Sequence, residues 1–291
     1  MMRIAVFGNL YQAEKSAQAR RLFDALDRYD AEILVCEDFY RFLNTVMNIH
    51  PRHIGLISDR RFEADMALSI GGDGTFLKTA ERVGDKNIPI IGINTGRLGF
   101  LADISENEID EVVTEIFEGR YRIEERTLLQ VEADSLPPGF WPYALNEVAV
   151  LKRDTSSMIS IHTDMDGAFL NTYQADGLVV ATPTGSTAYA LSVGGPVLVP
   201  QASNIVIVPV APHSLNVRPL VVNDSSVVQL KVDSRSHNFL LSLDGRSVMM
   251  SISQHLTIRK ATYAIRVIKR YNHFFIDTLR NKLMWGADRR K

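Results

Sequence analysis

Over the first 120 residues, short apolar runs alternate with amphipathic stretches. The apolar runs predict buried strands at 3–7, 31–35, 66–70 and 88–93, where β-branched residues are frequent. The amphipathic stretches predict helices at 14–28 and 39–48, and a further helix after residue 74. Strands that alternate with helices indicate an α/β domain with a parallel sheet.

Beyond residue 120 the apolar runs become shorter and follow one another closely. They predict strands at 127–133, 144–151, 158–163, 168–173, 177–182, 204–210, 226–232, 239–243 and 255–259. Asp166-Gly167 and Asp244-Gly245 separate two pairs of these runs, and Asp-Gly is a preferred hairpin turn. This region is predicted to be an all-β, β-sandwich-like domain.

The pattern therefore predicts two domains and a returning tail. We expect an α/β domain at 1–120, a β-rich domain at 121–265, and a segment at 266–291 whose helix, near 276–283, packs back on the first domain. The length of 291 residues is consistent with two domains.

Composition excludes several classes of protein. Thirty-two Lys and Arg against 34 Asp and Glu give a net charge of −2, without the basic excess typical of nucleic-acid binding. No apolar run approaches the ~20 residues of a membrane span. Cys36 is the single cysteine, and the histidines show no metal-ligand spacing. We expect a cytoplasmic protein that binds neither nucleic acid nor membranes.

Candidate chemistry begins at Gly71-Gly72-Asp73-Gly74-Thr75, which joins the predicted strand at 66–70 to a helix. Glycines at such a junction let backbone amides approach a ligand, and the helix N-terminus attracts phosphate. The spacing matches neither the P-loop nor the dinucleotide fingerprint. A second glycine-bearing segment, Ile93 to Phe100 (INTGRLGF), follows the next strand, so both loops open at the same sheet edge.

Asp73 is unexpected in a phosphate-binding turn, because a carboxylate repels phosphate unless it binds a cation or accepts a hydroxyl proton. Both roles belong to kinases, although Asp73 alone is also a good helix cap. Lys78 lies one turn beyond Gly74, where it either reaches a phosphate or is a solvated helix lysine. The turn thus points to phosphoryl transfer without naming a substrate.

The second half of the chain narrows the choice. Asn146-Glu147, Asp176-Gly177, and the run from Thr182 to Ser192 (TPTGSTAYALS) with Gly194-Gly195-Pro196 behind it occur in that order after the GGDG turn. Together with INTGRLGF, they closely resemble the NAD kinase family over roughly residues 66–220. The resemblance implies ATP-dependent phosphorylation of the 2′-hydroxyl of the adenosine ribose of NAD, which gives NADP.

The same resemblance implies roles for individual residues. Asp73 would accept the proton of the reacting hydroxyl or orient it, with Gly74 beside it. Asn146 and Glu147 would hold ribose hydroxyls, and Asp176 would accept hydrogen bonds from base or amide groups. An adenine-binding segment would consist of Thr187, Ala188, Tyr189, Ala190, Leu191 and Ser192. Ala211 and Arg246 are further candidates for the same pocket.

Two positions depart from the family pattern: Gln174 and Ser157 stand where relatives often carry basic residues. Three alternative functions compete with this one. One is a serine hydrolase, because Ala190 to Gly194 approximates a nucleophile elbow with His213 downstream, although the predicted strand before Ser192 already ends near Thr182, which is the wrong context for an elbow. The others are a lipid or sugar kinase with the same GGDG turn, and a dinucleotide sensor that does not use Asp73 as a base.

The resemblance also implies ATP as phosphoryl donor, a divalent cation of the Mg²⁺ type, and a homodimer or homotetramer assembled through the β-rich domain. We predict no metal site built by protein residues alone.

Overall fold

The computed structural model describes residues 1–11, 16–51, 54–96, 99–153 and 157–286. The chain divides into two compact units. We call Met1–Glu125 together with Ile265–Lys291 the α/β unit, and Arg126–Ala264 the β unit.

The α/β unit contains a parallel sheet. Its strands are β1 (Met2–Gly8), β2 (Ala31–Cys36), β3 (Ile54–Ile57), β4 (Met66–Ile70) and β5 (Ile90–Ile93). They lie in the order β5-β4-β1-β2-β3, and every neighbouring pair is parallel. The connecting helices are α1 (Ser16–Leu26), α2 (Glu37–Thr45), α3 (Asp73–Val83) and α4 (Ile109–Phe117). The predicted parallel α/β architecture is confirmed.

The core of this unit follows from the apolar spacing. β4 is buried at all of its positions, as expected for a central strand covered on both faces. α1 buries Ala19, Leu22, Ala25 and Leu26, which share one helical face, and leaves its arginines outside. The sheet is thereby held rigidly where its strands end, and the GGDG turn follows β4 directly.

The β unit contains two antiparallel groups of strands. The first and last of its strands also extend into the α/β unit. The elements of the β unit are β6 (Arg122–Ala133), β7 (Tyr143–Ala144), β8 (Glu147–Leu151), β9 (Ile159–Met165), β10 (Ala168–Ala175), β11 (Gly177–Ala181), α5 (Tyr189–Ser192), β12 (Asn204–Val210), β13 (Leu220–Asn223), β14 (Val228–Asp233), β15 (Asn238–Leu243), β16 (Arg246–Ser251) and β17 (His255–Lys269). One sheet has the order β13-β12-β11-β8-β15-β16, and a second path runs β10-β9-β14-β17. Apolar residues of both groups form one buried cluster, so the predicted β-rich, sandwich-like layer is confirmed.

Both predicted Asp-Gly hairpins are present. Asp166 and Gly167 have φ of 53° and 80° between β9 and β10, and Asp244 and Gly245 have φ of 50° and 80° between β15 and β16. Left-handed conformations at both central positions are those that a type I′ turn requires.

The chain returns to the α/β unit at its end. The last residues of β17 lie in that unit, where Val267 pairs in parallel with Ile90 of β5. The helix α6 (Phe275–Leu283) follows, and the Phe275 ring lies 6.0 Å from that of Phe100 in the same unit. The predicted C-terminal helix that packs back on the first domain is confirmed.

Several elements were not predicted from the sequence. They are β3, α4, β13 and β16, and β17 is ten residues longer than the predicted strand at 255–259. The predicted single strand at 144–151 is two strands, β7 and β8, interrupted at Leu145 and Asn146. At the interruption, the amides of Leu145 and Asn146 bind the Asp244 carboxylate instead of a neighbouring strand.

Candidate active site

The GGDG turn lies between the end of β4 and the start of α3, as predicted. Gly72 occupies the N-cap position, so Asp73 is the first residue of the helix rather than its cap. A Cβ atom at Gly71 would lie 2.3 Å from Thr75 Oγ1, which requires glycine there. At Gly72 and Gly74 a Cβ atom would meet nothing within 4 Å, so the backbone of this turn is open to approach.

The carboxylate of Asp73 is held by backbone amides from another loop. Phe100 N–H donates to Oδ2 at 3.0 Å, while the N–H groups of Leu101 and Ala102 both donate to Oδ1 at 3.0 Å. The ammonium of Lys282, on α6, also lies 3.3 Å from Oδ2. The capping explanation for Asp73 is therefore wrong: the side chain binds residues 100–102 instead of amides of its own helix.

The loop that binds Asp73 is fixed by buried polar groups. Asn94 N–H donates to Ile104 O at 2.7 Å, and Asn94 Nδ2 donates to Ala102 O at 3.1 Å. A Cβ atom at Gly99 would lie only 2.0 Å from Asp73 Oδ1, so glycine lets the loop close over the carboxylate. Arg97 and Leu98 of the predicted INTGRLGF segment lie outside the described residues.

A buried charge cluster anchors the far end of this loop. Asp103 and Lys269 form an ion pair with side chains 7% exposed each, and His273 Nδ1 lies 3.1 Å from Asp103 Oδ2. Burial opposes ionisation of Asp103, but the charges of Lys269 and His273 outweigh it and hold the pKa of Asp103 below its ordinary value. The hydrogen bond to Asp103 raises the pKa of His273. This network fixes the residue next to Ala102.

Lys78 lies on the exposed surface of α3, and its ammonium is 6.0 Å from the centre of the Tyr11 ring. The structure thus leaves both sequence-based explanations of Lys78 available, as a phosphate contact and as a solvated lysine.

In the β unit, the predicted Asn146-Glu147 pair is shaped by Asp244. The Asp244 carboxylate accepts the N–H groups of Leu145 and Asn146 at 2.8 Å and of Glu147 at 3.2 Å. These amides therefore leave the ladder, which explains the interruption between β7 and β8. Asp244, predicted only as a hairpin residue, is what orients this segment.

The Thr-rich run packs onto the same segment. Thr182 Oγ1 donates to Leu145 O at 2.6 Å, and Thr182 N–H donates to Asn146 O at 2.9 Å. A Cβ atom at Gly185 would lie 1.9 Å from Asn146 O, so this glycine is required for the close approach. The structure thereby brings Asn146 and Glu147 together with the residues that begin the predicted adenine-binding segment.

Glu147 is a buried acid of this group with a shifted pKa. It is 8% exposed, and its Oε2 accepts the Tyr189 N–H at 3.4 Å. Burial and the neighbouring Asp244 raise the pKa of Glu147 to about 7. Of the rest of the segment, Thr187, Ala188, Tyr189 and Leu191 are half-buried, Ala190 is fully buried, and Ser192 is exposed.

Ser192 does not lie on a nucleophile elbow. It ends α5, and β11 has already ended at Ala181, with the 3-10 turn Gly185–Thr187 in between. A nucleophile elbow needs the serine at the strand-to-helix turn itself, so the hydrolase alternative is wrong.

Asp176 lies at the opposite end of the β8–β11 pair from Glu147. Ala181 pairs with Glu147 and Gly177 with Leu151, a separation of four residues or about 13 Å along the strands. Asp176 Oδ1 lies 2.6 Å from Lys152 Nζ, and its N–H donates to Val210 O. Ala211 follows with φ of 44° and is exposed. Asp176 and Ala211 thus form a second group within the β unit, and Gln174, whose carbonyl accepts His213 N–H, belongs to it.

Arg246 contacts Tyr143, which precedes the Asn146-Glu147 segment, and Asp244, which binds the amides of that segment. Its guanidinium donates to the carbonyls of Trp141 and Tyr143 at 2.8 and 2.6 Å and lies 4.9 Å from the centre of the Trp141 ring. It is also 3.9 Å from Asp244. These contacts tie Trp141 and the first residue of β7 to the Asp244 turn.

The perturbed pKa of Glu147 gives a prediction for stability against pH. Because the folded state holds the Glu147 proton up to about pH 7, against an ordinary value of 4.5, it binds more protons than the unfolded chain between those values. Stability therefore falls as pH rises from about 4.5 to 7, by on the order of 3 kcal/mol from this group. Glu147→Gln should flatten that part of the dependence and raise the melting temperature at pH 8, measured by calorimetry. A variant with the wild-type pH slope would contradict the assignment.

The described residues contain no group of three or more His, Cys, Asp or Glu side chains placed to hold a metal ion. Among the helices of the described part of the chain, none is long and apolar enough to cross a membrane.

Comparison with known proteins decides the family. Residues 4–121 match the model of the ATP-NAD kinase N-terminal domain, and residues 145–270 match that of the ATP-NAD kinase C-terminal domain. An NAD kinase of Bacteroides fragilis is 57% identical over 289 residues, which is 99% of this chain and 100% of that protein. The chain belongs to the ATP-NAD kinase family.

Two further NAD kinases agree with this assignment, and a third protein shares the fold. An NAD kinase of Porphyromonas gingivalis is 45% identical over 99% of both chains. The structure of an NAD kinase from Archaeoglobus fulgidus in complex with ATP superposes with a TM-score of 0.74 at 27% identity, covering 98% of each chain. Yeast NADH kinase complexed with NADH shares the fold, with a TM-score of 0.89 at 23% identity over 100% of this chain and 89% of that one.

Sequence reasoning missed Lys282 and Gly99, which lie against Asp73 in the α/β unit, and, separately in the β unit, the role of Asp244 in orienting Asn146 and Glu147. The Asp244-Gly245 and INTGRLGF motifs marked two of these positions, but only as turns. Lys282 had no local signal, because it lies 209 residues from Asp73 in sequence.

Proposed function

We propose that this chain is an NAD kinase, which transfers the γ-phosphoryl group of ATP to the 2′-hydroxyl of the adenosine ribose of NAD and releases NADP and ADP. The observation that carries the proposal is the Asp73 carboxylate, fixed by three backbone amides at the start of α3. Family membership supplies the two substrates. As an NADP-forming transferase, the chain would serve NADP biosynthesis in the cytoplasm.

In the α/β unit, Asp73 would accept a hydrogen bond from the 2′-hydroxyl and take its proton as the oxygen–phosphorus bond forms. Gly74, with open space around it, would let the first amides of α3 approach phosphate oxygens. Lys78, one turn further, would add a cation. Positioning and charge stabilisation are the main sources of catalysis in phosphoryl transfer, and a rigid loop such as residues 99–103 supplies positioning.

In the β unit, Asn146 and Glu147 would bind the ribose hydroxyls of NAD. Protonated Glu147 is a donor and ionised Glu147 an acceptor, so its raised pKa lets it serve hydroxyls in either form near neutral pH. The residues from Thr187 to Ser192 would line the adenine, with Tyr189 as the aromatic surface. Asp176 and Ala211 would make polar contacts at the other end of the strands, and Arg246 would act by holding the segment that carries Asn146.

A divalent cation, Mg²⁺ by its oxygen preference, would accompany ATP. Mg²⁺ is usually held by one or two carboxylates together with substrate phosphates. Because the described residues build no cluster of ligands, the phosphate oxygens of the donor would hold most of its coordination sphere. Its chemistry there would be to offset the charge of the phosphates.

We also propose a homodimer or homotetramer. The edge strands β10, β13 and β16 expose apolar side chains, among them Phe169 at 69%, Val221 at 41% and Met249 at 47%. Exposed edges of this kind pair readily with a second copy.

One coupled assay tests the function: ATP, Mg²⁺ and NAD are mixed with the protein, and NADP is detected by an NADP-specific dehydrogenase. We expect continuous NADP formation. Faster turnover of diacylglycerol or fructose 6-phosphate than of NAD would establish the lipid or sugar kinase alternative. NAD binding without turnover of any acceptor would establish the sensor.

A further inference from the structure

Lys282 lies on the one face of α6 that is turned toward the rest of the α/β unit. Phe275, Leu279 and Lys282 are spaced by four and three residues, which places them on the same side of a helix. Leu279 is 7% exposed, and the Lys282 side chain 31%. Lys282 is an exposed residue, as Arg280 is, but its ammonium lies at the end of this apolar stripe and contacts Asp73.

The Lys282 ammonium has two contacts at the end of this stripe. It lies 3.3 Å from Asp73 Oδ2 and 4.5 Å from the centre of the Phe100 ring. The ring is itself placed by Phe100 N–H, which donates to the same Oδ2 atom. A cation near an aromatic face is attracted to it, so the ammonium remains held locally when its bond to the carboxylate breaks.

The number of hydrogen bonds that the Asp73 carboxylate can accept shows why its contact with Lys282 matters for substrate binding. A carboxylate has about four lone-pair sites. Oδ1 accepts the amides of Leu101 and Ala102, and Oδ2 accepts the amide of Phe100 and the ammonium of Lys282. No site remains for a substrate hydroxyl, so the hydroxyl must replace one of the four donors.

Lys282 is the donor that can leave. The three amides belong to a loop that is fixed by Asn94 and by the buried Asp103–Lys269 pair, and each bond is 3.0 Å long. The lysine contact is the longest, at 3.3 Å, and it is made by a flexible side chain.

We propose that Lys282 is a catalytic residue which occupies Asp73 Oδ2 before acceptor binding and is displaced by the acceptor hydroxyl onto the transferring phosphoryl group. This inference rests on the proposed function. The hydroxyl O–H bond breaks with its proton passing to Oδ2, and the oxygen–phosphorus bond forms. The bond from the γ-phosphorus to the bridging oxygen breaks, and its electron pair leaves with ADP. Lys282 stays protonated throughout.

Distances favour this transfer of the ammonium. A reacting oxygen in contact with Oδ2 lies about 3–3.5 Å from the phosphorus it attacks. The freed ammonium lies 3.3 Å from Oδ2 beforehand, so it would be close to the equatorial oxygens of a phosphoryl group attacked from that position. There it neutralises charge that is spread over those oxygens in the transition state.

The proposal is tested by Lys282→Met, which keeps the length of the side chain and removes its charge, with Lys282→Arg as the conservative variant. In the coupled assay, Lys282→Met should lower kcat by about 10–10²-fold. The KM for NAD should stay the same or fall, because a competitor for Asp73 has been removed. Lys282→Arg should recover part of kcat. Arg280→Met removes the same charge from the exposed face of α6 and should leave both constants at wild-type values.

The alternative is a purely structural role, in which Lys282 only stabilises the C-terminus of α6, where basic residues interact favourably with the helix dipole. In that case Lys282→Met and Arg280→Met would lower the melting temperature alike and leave kcat unchanged, which would overturn the proposal. A tenfold rise in the KM for NAD at unchanged kcat would also overturn it. If Lys282→Met does not fold, the same constants of Lys282→Arg decide: wild-type kcat together with a raised KM for NAD would overturn the displacement. Absence of NADP formation by the wild-type protein would instead refute the proposed function itself.

Discussion

Replacing Asp73 by asparagine is expected to lower kcat for NADP formation by about 10²–10⁴-fold, while NAD still binds. The amide cannot accept a proton from the 2′-hydroxyl. The amide nitrogen of asparagine, placed where Oδ2 was, would also face two hydrogen-bond donors, Phe100 N–H and the Lys282 ammonium, and could accept from neither. The residues proposed to bind NAD in the β unit are unchanged, so the dissociation constant measured by calorimetry should remain near that of the wild type.

A matched control variant separates the loss of the Asp73 base from the general effect of removing one negative charge. Asp24→Asn removes a carboxylate from the exposed face of α1 in the same unit and should leave kcat unchanged. Thermal unfolding of both variants shows whether the mismatched amide destabilises the fold, which should cost about 1–3 kcal/mol in Asp73→Asn. Turnover by Asp73→Asn at the wild-type rate would remove Asp73 from the mechanism.

The strands that could be predicted from the sequence are those with a clear apolar pattern, either a continuous run or a regular alternation. Met66–Ile70 and Asn204–Val210 were predicted to the residue, because short continuous apolar runs bounded by turn residues favour buried strands. The edge strands β3 and β13 have four residues each, and β16 alternates weakly. Short or half-exposed strands leave little apolar pattern, and their pairing depends on neighbours that are distant in sequence.

The candidate site was predicted where it rests on local motifs and missed where it rests on long-range contacts. Gly71 to Gly74 and Asn146-Glu147 are contiguous and were found. The amides that hold Asp73 come from residues 27 to 29 positions later, and those that Asp244 accepts come from residues nearly 100 positions earlier. No periodicity or motif encodes such partners, because they are set by which strand ends meet at a sheet edge.

Gly99→Ala is expected to reduce kcat nearly as strongly as loss of the carboxylate, although residue 99 need touch no substrate. The new methyl group would lie 2.0 Å from Asp73 Oδ1 and 2.8 Å from Ala102 O. Since the loop is tied to Asn94 and Asp103, the carboxylate itself must move, by about 1 Å, to restore a normal contact distance. A misplacement of that size costs about 10²-fold in rate. The coupled assay measures it, with NAD binding in the β unit expected to persist.

A double-mutant cycle shows whether the effect of Gly99→Ala passes through Asp73. Residues in direct contact give non-additive effects, whereas independent sites add. If the methyl group acts by displacing the carboxylate, Gly99→Ala should lower kcat about 10²-fold in the wild type and hardly at all in Asp73→Asn, whose turnover no longer depends on a placed base. Equal fold-losses in both backgrounds would mean that Gly99 serves the loop itself and not the position of Asp73. The cycle thus tests the contact between residue 99 and Asp73 Oδ1. Glycine is required at position 99 because the Asp73 carboxylate occupies the space that a side chain would fill.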